Sequence, residues 1–266
     1  MPSFPFEGVD FYFEQSGEGP PVVLCHGLTG DLTQIQELLS SVPGHSLLLW
    51  DCRGHGRTEP LGPSQAFEFP QFSRDLHAFL THLNISQAVV GGFSMGAGVA
   101  TRFALDHSEM VSGLILIRPA WLDLPNPGPL RMGQQIGELL ASKGAKEGRK
   151  VFEQSIHYQQ LKSNDPWTAN AMCEQFEKPQ AAERSVRLQR MPASCPIRNW
   201  NEVARLIMPA LVAGCEPDFV HPYEVAVEWA QRLPNATLVK VPPRQPDVCA
   251  YKTAVRSAIV EFVCSL

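Results

Sequence analysis

The chain has 266 residues, of which 44% are hydrophobic, and 22 Lys+Arg against 27 Asp+Glu give a net charge of −5. That length allows one large domain, or one domain with a sizeable insertion, and buries a full core without metal or disulfide staples. The acidic balance and the lack of a Lys/Arg run exclude nucleic acid or an anionic membrane surface as a main partner. Apolar stretches such as residues 47–50 fall far short of the roughly 20 residues a membrane helix needs.

In chain order, Val22-Val23-Leu24-Cys25 reads as a short buried strand ending at His26-Gly27. A helix over about 31–39 follows, with Asp31 as its N-cap and Leu32, Ile35, Leu38 and Leu39 on one face. Residues 47–50 form the next strand, 72–83 a helix with Phe72, Leu76, Phe79, Leu80 and Leu83 on one stripe, and 88–90 a third strand. A small-residue helix over 95–105 and a strand over 111–117 complete the first half. Continuous apolar strands separated by helices predict a mostly parallel twisted sheet covered on both faces. From Arg118 to about Trp200 the pattern turns helical and polar, punctuated by prolines, with no strand. Alternation resumes with a strand over 209–213, a helix over 223–233, a strand over 237–241 and a last helix over 251–262. The division expected is a core of 1–117 and 201–266, with 118–200 as an all-helical cap over one edge of the sheet.

The seven cysteines are odd in number, widely spaced and free of C-x-x-C, against a disulfide framework or a zinc site. Cys25, Cys215 and Cys264 read as small hydrophobes in or at the end of strand-like runs. With no basic region before an apolar block at Met1-Pro2-Ser3-Phe4-Pro5, a reducing, cytoplasmic setting is expected.

Chemistry concentrates in Gly92-x-Ser94-x-Gly96, at the end of one predicted strand and the start of a helix. A nucleophile elbow needs that context, because its serine sits on a strained turn where neighbouring side chains would clash with crossing backbone. His26-Gly27-Leu28-Thr29-Gly30, just after the first strand, aims the Leu28 N–H into the same space, where with the Met95 N–H it makes a two-donor oxyanion hole. A third motif, Asp51-Cys52-Arg53-Gly54-His55-Gly56-Arg57-Thr58, completes a recognisable order.

With these three motifs in sequence, the chain resembles the α/β-hydrolase fold superfamily, specifically its small cap-bearing members, over about residues 9–118 and 205–264. The resemblance implies that His55 and Arg53 belong to a structural loop. It also implies that the catalytic acid follows the strand at 209–213, where alignment on Pro222 selects Asp218 over Glu216. Members place the general-base histidine after the last strand. Here that position falls on Gln245 or Pro246, and no histidine follows His221.

A serine hydroxyl needs a base within hydrogen-bond reach. Three solutions stand. His221, three residues past Asp218, is a displaced base for ester, thioester or C–C bond cleavage. Alternatively Ser94 and the oxyanion hole polarise a carbonyl while Asp247 moves a proton, giving a lyase, isomerase or cyclase. Or the fold is a catalytically silent ligand binder. Trp121, Tyr158, Trp167, Met172, Phe176 and Met191 offer apolar surface for a small, partly apolar carbonyl compound, and Arg118 and Arg244 are candidate clamps for an anionic group. Without a P-loop or a G-x-G-x-x-G after the first strand, no metal, nucleotide or flavin cofactor is expected.

Overall fold

A computed structural model describes residues 2–266. Strands β1 (Ser3–Phe6), β2 (Val9–Ser16), β3 (Pro21–Cys25) and β4 (Ser46–Trp50) are joined by α1 (Leu32–Gln36) between β3 and β4. Then come α2 (Phe69–His82), β5 (Ala88–Phe93), α3 (Met95–Asp106) and β6 (Val111–Ile117). A helical stretch follows: α4 (Arg131–Glu153), α5 (Ile156–Asn164), α6 (Pro166–Cys173), α7 (Val186–Arg190) and α8 (Trp200–Val203). The chain closes with β7 (Ala210–Gly214), α9 (Tyr223–Arg232), β8 (Ala236–Lys240) and α10 (Val248–Cys264).

The sheet has eight strands in the order β1-β2-β4-β3-β5-β6-β7-β8. The β1–β2 and β2–β4 pairs are antiparallel and the rest parallel. Side chains of the central strands alternate between two cores, as a pleated strand covered on both faces requires. Val23, Cys25, Leu48, Trp50, Leu114, Leu116 and Val212 point to the side of α2, α3 and α9. Val22, Leu24, Leu47, Leu49, Ile115, Ile117 and Leu211 point to the side of α1 and α10. The mostly parallel, helix-covered sheet matches the architecture read from the sequence.

Three details depart from the sequence reading. The antiparallel hairpin of β1 and β2 went unread, although Val9, Phe11 and Phe13 alternate with Asp10, Tyr12 and Glu14; its turn, Glu7-Gly8, has positive φ at both residues. The third predicted strand runs on through Gly91 and Gly92 to Phe93, because both glycines keep pairing with β3 and β6. Cys264 ends α10 and is exposed, so it is no strand hydrophobe; Cys25 and Cys215 are buried.

No strand lies between β6 and β7, and this stretch packs over the ends of the central strands. Arg187 Nε donates to the Leu28 carbonyl (3.3 Å), Arg184 Nη1 to the Gly56 carbonyl (2.8 Å), and the Phe69 N–H to Ser194 Oγ (3.0 Å). No helix among the described residues is long and apolar enough to cross a membrane.

Beneath this surface Arg53 and Asp75, each about 1% exposed or less, form a two-point pair with Nε–Oδ2 at 3.0 Å and Nη2–Oδ1 at 2.7 Å. Removing Asp75 leaves the buried Arg53 charge with only the half-exposed Glu7 carboxylate, 4.0 Å away. Asp75→Ala is therefore expected to cost about 3–5 kcal/mol of unfolding free energy, measured by urea denaturation. A loss within 1 kcal/mol would remove Arg53–Asp75 from the list of structural ties.

Candidate active site

Ser94 stands between β5 and α3 with φ 53° and ψ −109°, a left-handed conformation that a side-chain-bearing residue adopts only when its surroundings enforce it. The Ser94 N–H donates to the Ile117 carbonyl (3.0 Å), and its own carbonyl accepts from the Ala97 N–H (3.1 Å). The flanking glycines are a packing requirement. A Cβ on Gly92 would lie 2.5 Å from the Cys25 carbonyl oxygen, and one on Gly96 only 2.1 Å from the same atom. Elbow, β3 and the start of α3 are thus in direct backbone contact.

The other side of the pocket is the turn after β3. His26 Nε2 accepts from the Cys52 N–H (3.0 Å) while Nδ1 faces the Gly27 carbonyl (2.8 Å), which assigns a neutral Nδ1–H tautomer. Burial lowers the His26 pKa in the same sense. The Leu28 carbonyl accepts from Arg187 and also faces His55 Nε2 (2.9 Å), whose Nδ1 faces the Arg53 carbonyl (2.8 Å). Among the described residues, neither the Leu28 nor the Met95 N–H donates to another group of the protein. Met95 opens α3, where the first N–H groups have no intrahelical acceptor.

His221 is brought to Ser94 by the loop between β7 and α9. Its Nε2 lies 2.9 Å from Ser94 Oγ, and its Nδ1 lies 3.3 Å from Asp218 Oδ1. Asp218 builds this loop as well as facing the imidazole: Oδ1 also accepts from the Val220 N–H (3.1 Å) and the His221 N–H (2.9 Å). Its other oxygen is paired with Arg118, which donates from both Nε and Nη2. Arg118 follows β6 at φ 48°, with its guanidinium over the rings of Phe93 and Tyr251.

Burial disfavours ionisation of Asp218, but His221 and Arg118 outweigh it and hold the carboxyl well below the usual carboxylate range. Burial lowers the His221 pKa below its ordinary value, and the nearby Arg118 charge adds to this against the opposing pull of Asp218. At neutral pH the imidazole is therefore neutral, with Nδ1–H toward Asp218 and a free lone pair on Nε2 toward the hydroxyl. A hydroxyl paired with such an imidazole, itself oriented by a carboxylate, is the arrangement that activates a serine nucleophile.

Other sequence candidates fall elsewhere. Asp247 is the N-cap of α10, accepting from the Ala250 N–H (2.9 Å), and does not line the Ser94 cavity. Glu216 is exposed and pairs with Lys240 (2.8 Å). Arg118 is no free anion clamp, because Asp218 already engages it. Arg244 does line the cavity, stacked on Trp167, and Gln245 lines a neighbouring one. Trp121 and Phe176 are core residues, whereas Trp167 and Met172 border the cavity. The reading of the sequence missed Arg187 and the Asp218 partner of Arg118; neither has a local signal, since the contacts span 159 and 100 residues. Among the described residues no group of three or more His, Cys, Asp or Glu is arranged to hold a metal ion.

One measurement tests the electrostatics apart from any activity. In Arg118→Gln the charge that opposes protonation is gone while Asp218 stays, so the His221 pKa is expected to rise. Titration of the imidazole nitrogens by NMR reads this directly, and an unchanged or lower pKa contradicts it.

Comparison with known proteins adds family membership. The chain is 33% identical to the non-heme chloroperoxidase CPO-A1 of Kitasatospora aureofaciens over 103 residues, 38% of this chain and 37% of that one. It is 24% identical to the AB hydrolase superfamily protein YisY of Bacillus subtilis over 250 residues, 88% and 87% of the two chains. In three curated relatives the match spans only 41%, 54% and 37% of the relative's own length. Among solved structures, the enol-lactonase from Burkholderia xenovorans LB400 superposes with a TM-score of 0.76 at 18% identity, covering 99% of this chain and 100% of that one. A thermophilic esterase from Thermogutta terrifontis gives 0.73 at 21% identity, over 98% and 97%. At such identities these two likenesses are of fold. A family model for the alpha/beta hydrolase fold matches residues 20–249, and the chain belongs to that family.

Proposed function

We propose that the protein is a serine hydrolase of small, partly apolar acyl compounds, with Ser94 as nucleophile, His221 as general base and Asp218 as the acid that orients it. The observation that carries this is the 2.9 Å approach of His221 Nε2 to Ser94 Oγ, which supplies a base where the sequence lacks one after β8. Ser94 Oγ attacks the carbonyl carbon as His221 takes the hydroxyl proton. The oxyanion is received by the Leu28 and Met95 N–H groups, both left free by the protein. Collapse expels the alcohol, which leaves with the proton from His221, and a water repeats the sequence on the acyl-enzyme to release the acid.

The 118–200 segment acts in this reading as a cap. The cavity beside Ser94 has a volume of about 320 Å³ and takes apolar walls from Leu28, Phe93, Leu130, Trp167, Met172 and Val220. That size and lining suit a short acyl chain or lactone. The names of the esterase and lactonase neighbours point the same way. The imidazole facing Ser94 and the use of Asp247 as a helix cap support this reading over the base-free ones. A reducing, cytoplasmic setting is proposed with it, in keeping with seven free cysteines.

The test is a fluorophosphonate probe together with p-nitrophenyl butyrate. The wild-type protein is expected to label at Ser94 and turn over the ester. Ser94→Ala and His221→Ala should each lose about 10⁴-fold or more in kcat, and His221→Ala should lose prompt labelling. Full turnover in His221→Ala would refute the relocated base.

A further inference from the structure

Resting on the hydrolase reading above, we propose that Arg244 and Trp167 form a carboxylate-binding subsite, and that the preferred substrate is an acyl ester whose acyl chain ends in a carboxylate. Arg244 lies on the β8–α10 loop, beside the position where family members carry the base histidine. Its guanidinium carbon is 3.5 Å from the centre of the Trp167 ring, at the start of α6. The two side chains lie on a wall shared by two cavities. One, of about 320 Å³, contains Ser94 and His221; the other, of about 350 Å³, lies between Asn164–Thr168 and the Pro217–Phe219 loop.

What marks Arg244 is its want of an anion. Several charged groups that line the same cavities have partners of their own, Arg118 with Asp218, Glu37 with Lys252 and Asp31 with Thr33, while Glu174 and Lys178 add one charge of each sign to the Ser94 cavity. Asp165 spends its two oxygens on the N–H and hydroxyl of Thr168. Arg244 has no ion pair among the described residues, and burial and the charge of Arg118 disfavour its protonated form against the smaller pull of Tyr251, Glu37 and Asp218. A planar guanidinium stacked on an indole keeps its N–H edge free for a two-point bond to a carboxylate. The stack also fixes the plane of that fork before a ligand arrives, which lowers the entropic cost of binding. Leu28, Phe93, Leu130, Met172 and Val220 line the cavity that holds both Ser94 and Arg244, and they suit the methylene chain joining a scissile carbonyl to the distal charge.

Two acyl series of matched length separate charge from shape: p-nitrophenyl half-esters of adipate, pimelate and suberate, against p-nitrophenyl hexanoate, heptanoate and octanoate. For at least one length the wild-type enzyme is expected to prefer the half-ester in kcat/KM. Arg244→Gln should lower the ratio of half-ester to neutral-ester kcat/KM about 10–100-fold, chiefly through the half-ester KM. Binding of monoethyl adipate to the Ser94→Ala protein, by calorimetry, reads the subsite without turnover and should weaken at least about tenfold when Arg244→Gln is added. A preference for the neutral ester at every length, equal losses on both series, or calorimetric binding that ignores Arg244 overturns the subsite. Loss of neutral-ester turnover in Ser94→Ala separately tests the hydrolase reading, so the two failures are distinguishable.

Discussion

The Asp218 carboxylate is buried, with one oxygen committed to the Arg118 guanidinium and the other to the His221 ring and two backbone N–H groups. Every other feature of the site follows from that division. The two N–H bonds wind the β7–α9 loop so that residue 221 comes forward over Ser94. The Arg118 pair keeps the acid ionised inside the protein, where an unpaired carboxylate would take up a proton. Arg118 also stops Asp218 from raising the imidazole pKa as far as it would alone, so the imidazole stays neutral. The proposed acid and base, Asp218 and His221, sit three residues apart on one loop, and a single side chain from the end of β6 acts on both.

The elbow supplies a different kind of constraint. Ser94 is held in an unfavourable backbone conformation by β5, β6 and α3, and the strain persists because close packing leaves the chain no alternative. Ser94 and the turn after β3 therefore sit against a rigid sheet, while His221 sits on a loop. Rigidity at the hydroxyl and its donors matters most for the proposed reaction, since the oxyanion must form within reach of both N–H groups.

How much of this was legible in the sequence depended on distance along the chain. Ser94 and its glycines are five consecutive residues whose spacing has a steric cause, so they could be read directly. Asp218 needed the family pattern, because an acid on a loop has no local signature. His221 was readable only as one of three solutions: proximity to Asp218 in sequence says nothing of which way the ring turns. Arg118 read as a clamp because its charge was visible and its partner was not. Asp247 misled in the opposite direction, being near the vacant position but already used as a helix cap. The β1–β2 hairpin had a clear period-2 signal, and attention to longer apolar runs passed over it.

Arg187 gives the helical segment a part in more than enclosure. It is buried, its pKa lowered to about 10 chiefly by burial, and it donates to the carbonyl of Leu28, the residue whose N–H is one donor of the proposed oxyanion hole. The roof is therefore bolted to the donor turn. Were that roof to lift, the turn would lose the Arg187 bond to its carbonyl, while the hydroxyl on its rigid bend would be left as it was. For the proposed reaction an opened molecule would keep the Ser94 hydroxyl in place and lose definition around the proposed oxyanion donors, so turnover would be conditional on being shut.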